Sequence, residues 1–525
     1  MNVTLSRAVS FLCLVIALMS SAAASTRALS DEQWRADLQQ LSSAIKEIHF
    51  KPFHNLAEAD FDALTKELEG QIPAMSDAEI IIGMAKIVAQ LRDGHTRLHI
   101  PRLYPEFALE AELGHSGTAP PKVEAIRFWQ LPVRFELFDD GLFVIGARPD
   151  YRDLIGQKVV QFDTTPVAEA IEAVRPVSFY ENDSRARLMA PDRLALPEVT
   201  QILGISHESN SVTITTVDDK GQTRTNNLQT LNEPGQEFVR GLPATLPLWL
   251  KNRDEYRWFE VLEDRNAIYV QVNKFEENPV SPYGDFVAET IESARAAGVS
   301  RYVIDLRHNS GGIGAWVTPF ITGLSSSEFN EYGRLYVLVG RTTFSAAQHF
   351  MHKFEELTYA AFVGEPSGAK PSHYGDSRRV VLENSGLTLR VSTIYWHSWL
   401  ANDFRDAINP HISAPMTSVD YFAGKDPALA AALNYRASAS LAMQIDEQFR
   451  AGNSQNALLL YQRHMADGTI RDHRTVIPEL LTMADQLVED GLIRPGFFVY
   501  FLADRSYPGD PDIESGLNRI KALLD

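Results

Sequence analysis

The stretch VLVGRTTFSAAQHF, residues 337–350, decides how the chain is read. Val337, Leu338 and Val339 form a short apolar run suited to a buried strand. Gly340 to Thr343 interrupt it, and Ala346, Ala347, Phe350 and Met351 then recur at the spacing of one helix face. Strand, turn and helix in that order are the unit of an α/β layer. The same unit delivers Ser345 to the start of a helix, where a serine ordinarily caps the first turn through its hydroxyl. A serine there can also offer its own N–H, or that of Ala346, to a developing negative charge, which the helix dipole favours.

Outward from this unit the alternation continues. AIYVQVNKF reads as a strand, GDFVAETIESARAAG as a helix and RYVIDLR as a buried strand. GGIGAWVTPFITGL reads as a helix, LYVLVG and AAFVGEP as strands, and SAAQHFMHKFEEL as the helix between them. The expectation is a parallel α/β layer over residues 240–425. Residues 25–110 read as a helical segment, opened by Ser30 as N-cap and closed by the glycine turn of LRDGHTRLHIP. A β-rich module is expected over 115–235, on the alternation and Asp-Gly turn of LPVRFELFDDGLFVIGA and the hairpin of SVTITTVDDKGQTRTNNLQTL. Residues 426–525 read as a helical tail, expected to bind a partner or to self-associate.

Composition narrows the chemistry. Arg7, the apolar run Ala8–Met19 and the small residues up to Ala24 predict a signal peptide over 1–24. Export to a periplasm or the outside is expected, with no membrane span once that segment is cut. The chain's 1 cysteine, Cys13, lies inside it, so disulfides, thiol nucleophiles and thiolate metal sites are excluded from the mature chain. A net charge of −19 argues against nucleic acid or an anionic membrane as partner. His95 and His99 fall in a turn and a strand rather than on one helix face, so no metal is expected, and no motif calls for a cofactor.

Two further strand ends carry polar chemistry. VIDLRHNSGGIGAW, residues 303–316, ends a strand and opens a helix through Gly311 and Gly312, whose N–H groups can face an anion without a side chain in the way. FVGEPSGAKPSHYGD, residues 362–376, places Lys370 in a turn. A lysine buried beside a serine loses part of its basicity and can serve as a general base.

IDLRHNSGG, TFSAA and VGEPSGAK, in this order and spacing, resemble the tail-specific, or C-terminal-processing, family of serine peptidases. The resemblance extends to the D-x-H-T turn, here Asp93 to Thr96, and implies a crotonase-like α/β core with a degenerate PDZ-like module inserted ahead of it. It implies Ser345 as nucleophile, Gly311, Gly312 and Ala346 around the oxyanion, and Lys370, 25 positions after the serine, as base. The related tricorn-core branch instead uses a histidine in the D-x-H-T turn, here His95, with a downstream acid for which Asp403 and Asp406 are candidates. Both bases stay open at this point. The implied activity is hydrolysis of peptide or protein substrates without a cofactor. The alternative is a non-catalytic protein that binds peptides or small apolar ligands on the same fold.

Overall fold

Val303 and Ile304, like Val337 and Leu338, are wholly buried neighbours on successive positions of a strand. Side chains alternate across a strand, so such a run must be covered on both faces. The computed structural model describes residues 27–104, 121–235, 237–276, 282–331, 333–400, 403–435, 440–466 and 473–524, and the expected signal segment 1–24 lies outside them. Its six-stranded sheet runs in the order Ile412–Ser413, Ala361–Gly364, Leu335–Val339, Arg301–Asp305, Ala267–Val272, Arg257–Leu262. Every neighbouring pair is parallel except the last, which is antiparallel.

On one face Ile304, Val337 and Val339 pack with the helices Tyr283–Ala296 and Ala346–Leu357. On the other, Val303, Tyr336 and Leu338 pack with Ala428, Leu429 and Ala432 of the helix Pro427–Asn434. That helix was read as the start of the tail, yet it covers the second face of the layer. The remaining described helices, from Leu441–Arg450 to Pro511–Lys521, bury a core of their own around Leu480, Ala484 and Leu487.

The preceding half is mixed rather than divided into helical and β portions. Antiparallel strands Val133–Phe138, Gly141–Ala147, Lys158–Phe162, Ser211–Val217 and Thr223–Gln229 form one sheet. Its Leu142, Val144 and Val159 share a continuous core with Trp34, Leu38 and Ile81 of the first helices. Each amphipathic element there has a single apolar face, so sheet and helices must cover each other. The helix Asp183–Leu194 was not foreseen in this segment, because Pro191 and a run of charged residues mask its period. Asn182 starts it by accepting the Arg185 N–H at 2.9 Å.

One small sheet ties the two halves together. Arg97 and Leu98 pair with Arg390 and Leu389, and the latter strand pairs with Arg378–Val381. The D-x-H-T turn is thereby held against the α/β half of the chain.

Candidate active site

Three loops leave the carboxyl ends of neighbouring parallel strands, the usual position of a site in an open α/β sheet. The first follows Asp305. Arg307 makes ion pairs with Asp305 at 2.6 Å and with Asp426 at 2.8 Å, while Asp426 also caps the helix Pro427–Asn434. Burial works against the Arg307 cation, but the two carboxylates hold its pKa well above the ordinary value. This arginine therefore braces the strand end. Beyond it Asn309 accepts the Gly311 N–H at 2.8 Å and gives its own amide to the Val272 carbonyl at 3.0 Å.

Glycine is required at both following positions. Gly311 has φ +110°, and a side chain there would put its Cβ 2.6 Å from Ser345 Cβ and 2.9 Å from the Ala346 nitrogen. Gly312 has φ +130°, and its Cβ would lie 2.4 Å from the Phe275 carbonyl oxygen. These contacts put the glycine loop directly on the serine turn. The Gly311 N–H is already given to Asn309, so the donor expected at Gly311 is withdrawn. Gly311 instead allows the close approach.

Ser345 heads the helix Ala346–Leu357 at φ 55°, ψ −121°, and its side chain makes no capping hydrogen bond. That conformation is the first central position of a type II′ turn, normally held by glycine. Holding a serine there costs about 1–3 kcal/mol, strain that clusters where function needs it. A capping serine would sit in extended backbone and spend its hydroxyl on the first turn, as Ser30 and Ser76 do in this chain. Ser345 does neither.

His95 arrives from the other half of the molecule. Its backbone N–H donates to Asp93 Oδ1 at 2.8 Å, and its ring stacks on Phe344, the residue before the serine, with centroids 4.3 Å apart. The His373 ring lies nearly parallel to it at 5.6 Å. His95 is 7% exposed, and neither ring nitrogen has a hydrogen-bond partner among the described residues. Burial holds its pKa well below the ordinary imidazole value, with the His373 ring adding to the effect and Asp93 opposing it. His95 is thus a neutral imidazole with both nitrogens unengaged beside the serine turn.

Lys370 is placed differently. Its Nζ pairs with Asp406 at 3.2 Å, and its side chain is 40% exposed. It makes no hydrogen bond to Ser345 among the described residues. The Lys370 backbone does the local work: its N–H reaches Glu181 at 3.2 Å and its carbonyl accepts from His373 at 3.1 Å. Asp403 makes no hydrogen bond to the His95 ring either, among the described residues. Its carboxylate is taken by Arg405 at 2.6 Å and by the Ser398 hydroxyl at 3.0 Å. Burial opposes its ionisation, but Arg405 keeps its pKa below the usual carboxylate range. Neither acid expected from the family pattern touches the imidazole, since each is held by a basic side chain of its own.

Four side chains here were not singled out from the sequence. Asp93 is buried and bonded to His49 Nε2 at 3.0 Å. Its ionisation is opposed by burial, yet the bond from His49 and the facing imidazoles hold its pKa below the usual range. Glu181 is buried with its carboxyl between the Gly94 and Lys370 backbones. Burial, then the charge of Asp93, pushes its pKa well above the ordinary value. Arg185 is fully buried with its guanidinium 4.3 Å from the centre of the Phe344 ring. His373 completes the set. Asp93 and His373 lay within stretches already noted, whereas nothing local marks Glu181 or Arg185.

The arrangement brings together a hydroxyl on a strained turn, backbone N–H groups at Gly312 and Ala346 with no partner among the described residues, and a neutral imidazole. These are the parts of a nucleophilic acyl-transfer centre. No protein-family model and no curated protein matches the chain. Among solved structures, mature CPAF complexed with lactacystin is similar at 12% identity, over 77% of this chain and 99% of that one, with a TM-score of 0.53. Mature CPAF alone matches at 12% identity over 77% and 98%, with a TM-score of 0.51. The photosystem II D1 C-terminal processing protease aligns over 75% of this chain and 98% of that one at 15% identity, but its TM-score of 0.31 is too low to argue from. The chain shares the CPAF fold, which fits the tail-specific resemblance carried by the motifs.

Proposed function

We propose that the protein is a serine peptidase of the tail-specific type, with Ser345 as nucleophile and His95 as base. The observation that carries this reading is the Ser345 turn: a serine in a glycine conformation, its hydroxyl capping nothing, with Gly311 pressed against its Cβ. A structural serine has no reason to bear that strain.

The chemistry follows from the parts. Ser345 Oγ attacks a peptide carbonyl while His95 takes its proton. The N–H groups of Gly312 and Ala346 hold the oxyanion, each such donor supporting ~10²–10³ in rate. His95 then gives its proton to the leaving amine. Water, deprotonated by the same imidazole, attacks the acyl-enzyme and releases the acid. Burial keeps the imidazole unprotonated at neutral pH, the form that accepts a proton, while its lowered basicity reduces the driving force of that transfer.

His95 is favoured over Lys370 by its unengaged nitrogens and by its contact with Phe344. Lys370, paired with Asp406, shapes the turn through its backbone. Among the described residues no carboxylate is hydrogen-bonded to the His95 ring. Its position is set by stacking and by Asp93, which is fixed in turn by His49. Within this reading the α/β layer is a crotonase-like core, the β-rich module a degenerate PDZ, and residues 1–24 a signal that exports the chain. Among the described residues no helix is long and apolar enough to cross a membrane.

The test compares the purified parent with its Ser345→Ala variant on a mixed peptide library, reading new termini by mass spectrometry. Cleavage by the parent alone is expected. Equal cleavage by both, or silence from a folded parent across neutral and alkaline pH, would overturn the reading in favour of a binding protein.

A further inference from the structure

A cavity of about 260 Å³ lies between the β-rich sheet and the carboxyl ends of the parallel strands. Its lining is mixed, with Phe135, Leu137, Ile145, Leu250 and Met416 as the apolar part and Arg134 and Glu136 among the charged part. Ser345, His95, Gly312 and Ala346 do not line it, although Arg341 and Thr342 of the serine turn do.

Its charges are unevenly satisfied. Arg102 is paired with Asp192, Arg307 with Asp305 and Asp426, and Arg341 with Glu365. At the mouth, Arg240 and Arg253 line the cavity and are exposed, and neither makes an ion pair or hydrogen bond among the described residues. The Trp249 Nε1–H, also in the lining, is buried without an acceptor among the described residues. Three N–H-bearing groups therefore lie in the lining of a partly apolar cavity, in a chain whose net charge is −19.

We infer that this cavity binds a small apolar monocarboxylate, its hydrophobic body against Phe135 and Leu137 and its carboxylate between Arg240, Arg253 and Trp249. Guanidinium groups offer paired N–H donors that match a carboxylate. The volume suits a molecule of one ring and a short chain, below the range of drug-sized sites. Arg341 links the cavity to the serine turn. It donates to the Leu137 carbonyl in the β-rich sheet and to Glu365, and it lies in the turn leading to Ser345. A bound acid touching Arg341 and Thr342 shifts that turn and with it the rate of cleavage. This coupling rests on the peptidase reading, while the binding does not.

The test titrates the mature chain calorimetrically with 4-phenylbutyrate and with its uncharged primary amide. Saturable binding of the acid is expected, at least tenfold weaker for the amide. The Arg240→Ala/Arg253→Ala variant should also bind the acid at least tenfold less tightly, with an unchanged melting curve because both side chains are exposed and unpaired. Equal binding of acid and amide, no binding of either, or parent-like binding by the variant would overturn the site. A peptide ending in a free phenylalanine carboxylate that binds where 4-phenylbutyrate does not would overturn the small acid as ligand. Saturating acid should change parent cleavage at least twofold and leave the double variant unaffected. Binding without that change overturns the coupling, and a parent that cleaves nothing bears on the peptidase reading alone.

Discussion

Replacing Ser345 by alanine and by glycine separates strain from capping. The serine sits at φ 55°, ψ −121° and its hydroxyl makes no capping bond. An ordinary N-cap serine loses about 1 kcal/mol of stability on replacement by alanine. Here alanine removes no cap and keeps the strain, so the loss should be close to zero. Glycine relieves about 2 kcal/mol of backbone strain, offset by about 0.7 kcal/mol from the freer unfolded chain. The glycine variant should therefore exceed the alanine variant by about 1 kcal/mol. For a cooperative unit of 150–250 residues that corresponds to roughly 2–4 °C in melting temperature. Differential scanning calorimetry of the three proteins under one buffer gives the order directly. Both variants should be inactive, so stability and activity move in opposite directions at this position. An alanine variant about 1 kcal/mol less stable than the parent, with glycine no better, would refute the strained-nucleophile argument and restore the capping serine.

Other perturbations divide the remaining roles. His95→Ala should lower kcat/KM by ~10²–10⁴, the range of a lost general base, whereas Lys370→Ala should cost less than tenfold; the reverse order in a peptide assay would reassign the base. Asp403→Asn should unsettle the Arg405 bridge and lower the melting temperature while leaving kcat/KM within a few fold, and a specific collapse of kcat would show that Asp403 acts in the chemistry. Burial, with the neighbouring His349 ring, lowers the His352 pKa to about 3, so the native state refuses a proton that the unfolded chain takes near pH 6.5. Its contribution is full above pH 6.5 and falls by ~1.4 kcal/mol per pH unit on acidification toward the folded value. Glu181 and Glu198, whose pKa values burial raises, oppose this slope. The parent-minus-His352→Leu difference in denaturation free energy isolates it, and a difference flat between pH 6 and 4 would contradict the buried neutral imidazole.

Much of the α/β layer is legible because short continuous apolar runs and period-3.6 faces alternate cleanly from Ala267 onward. The glycine pair and Ser345 are legible as residue types that strand ends use for anions and nucleophiles. What does not follow from spacing is the direction of a long side chain. Lys370 has the separation from Ser345 that the family pattern asks for, yet its four-carbon stem turns to Asp406 and only its backbone enters the site. Asp403 is occupied in a similar way, because Arg405 lies two residues on and bonds to its carboxylate. Glu181 and Arg185 are invisible because their meaning comes from elements far away, the Gly94 turn and Phe344. Local pattern reports which elements form, and tertiary packing decides which charged groups are dry.

The pairing of Arg97 with Arg390 also governs when the site can exist. His95 and Ser345 are 250 residues apart, and the strand that clamps the histidine turn follows the serine in the chain. At ~5–20 residues per second, roughly 15–60 s of synthesis separate the emergence of Arg97 from that of its partner. Until Phe344 emerges the imidazole has no ring to stack on, and until Arg390 emerges it has no strand to hold its turn. On the peptidase reading, a growing chain carries the two halves of a cutting tool unassembled, and becomes dangerous to its neighbours only after most of its own length has been made.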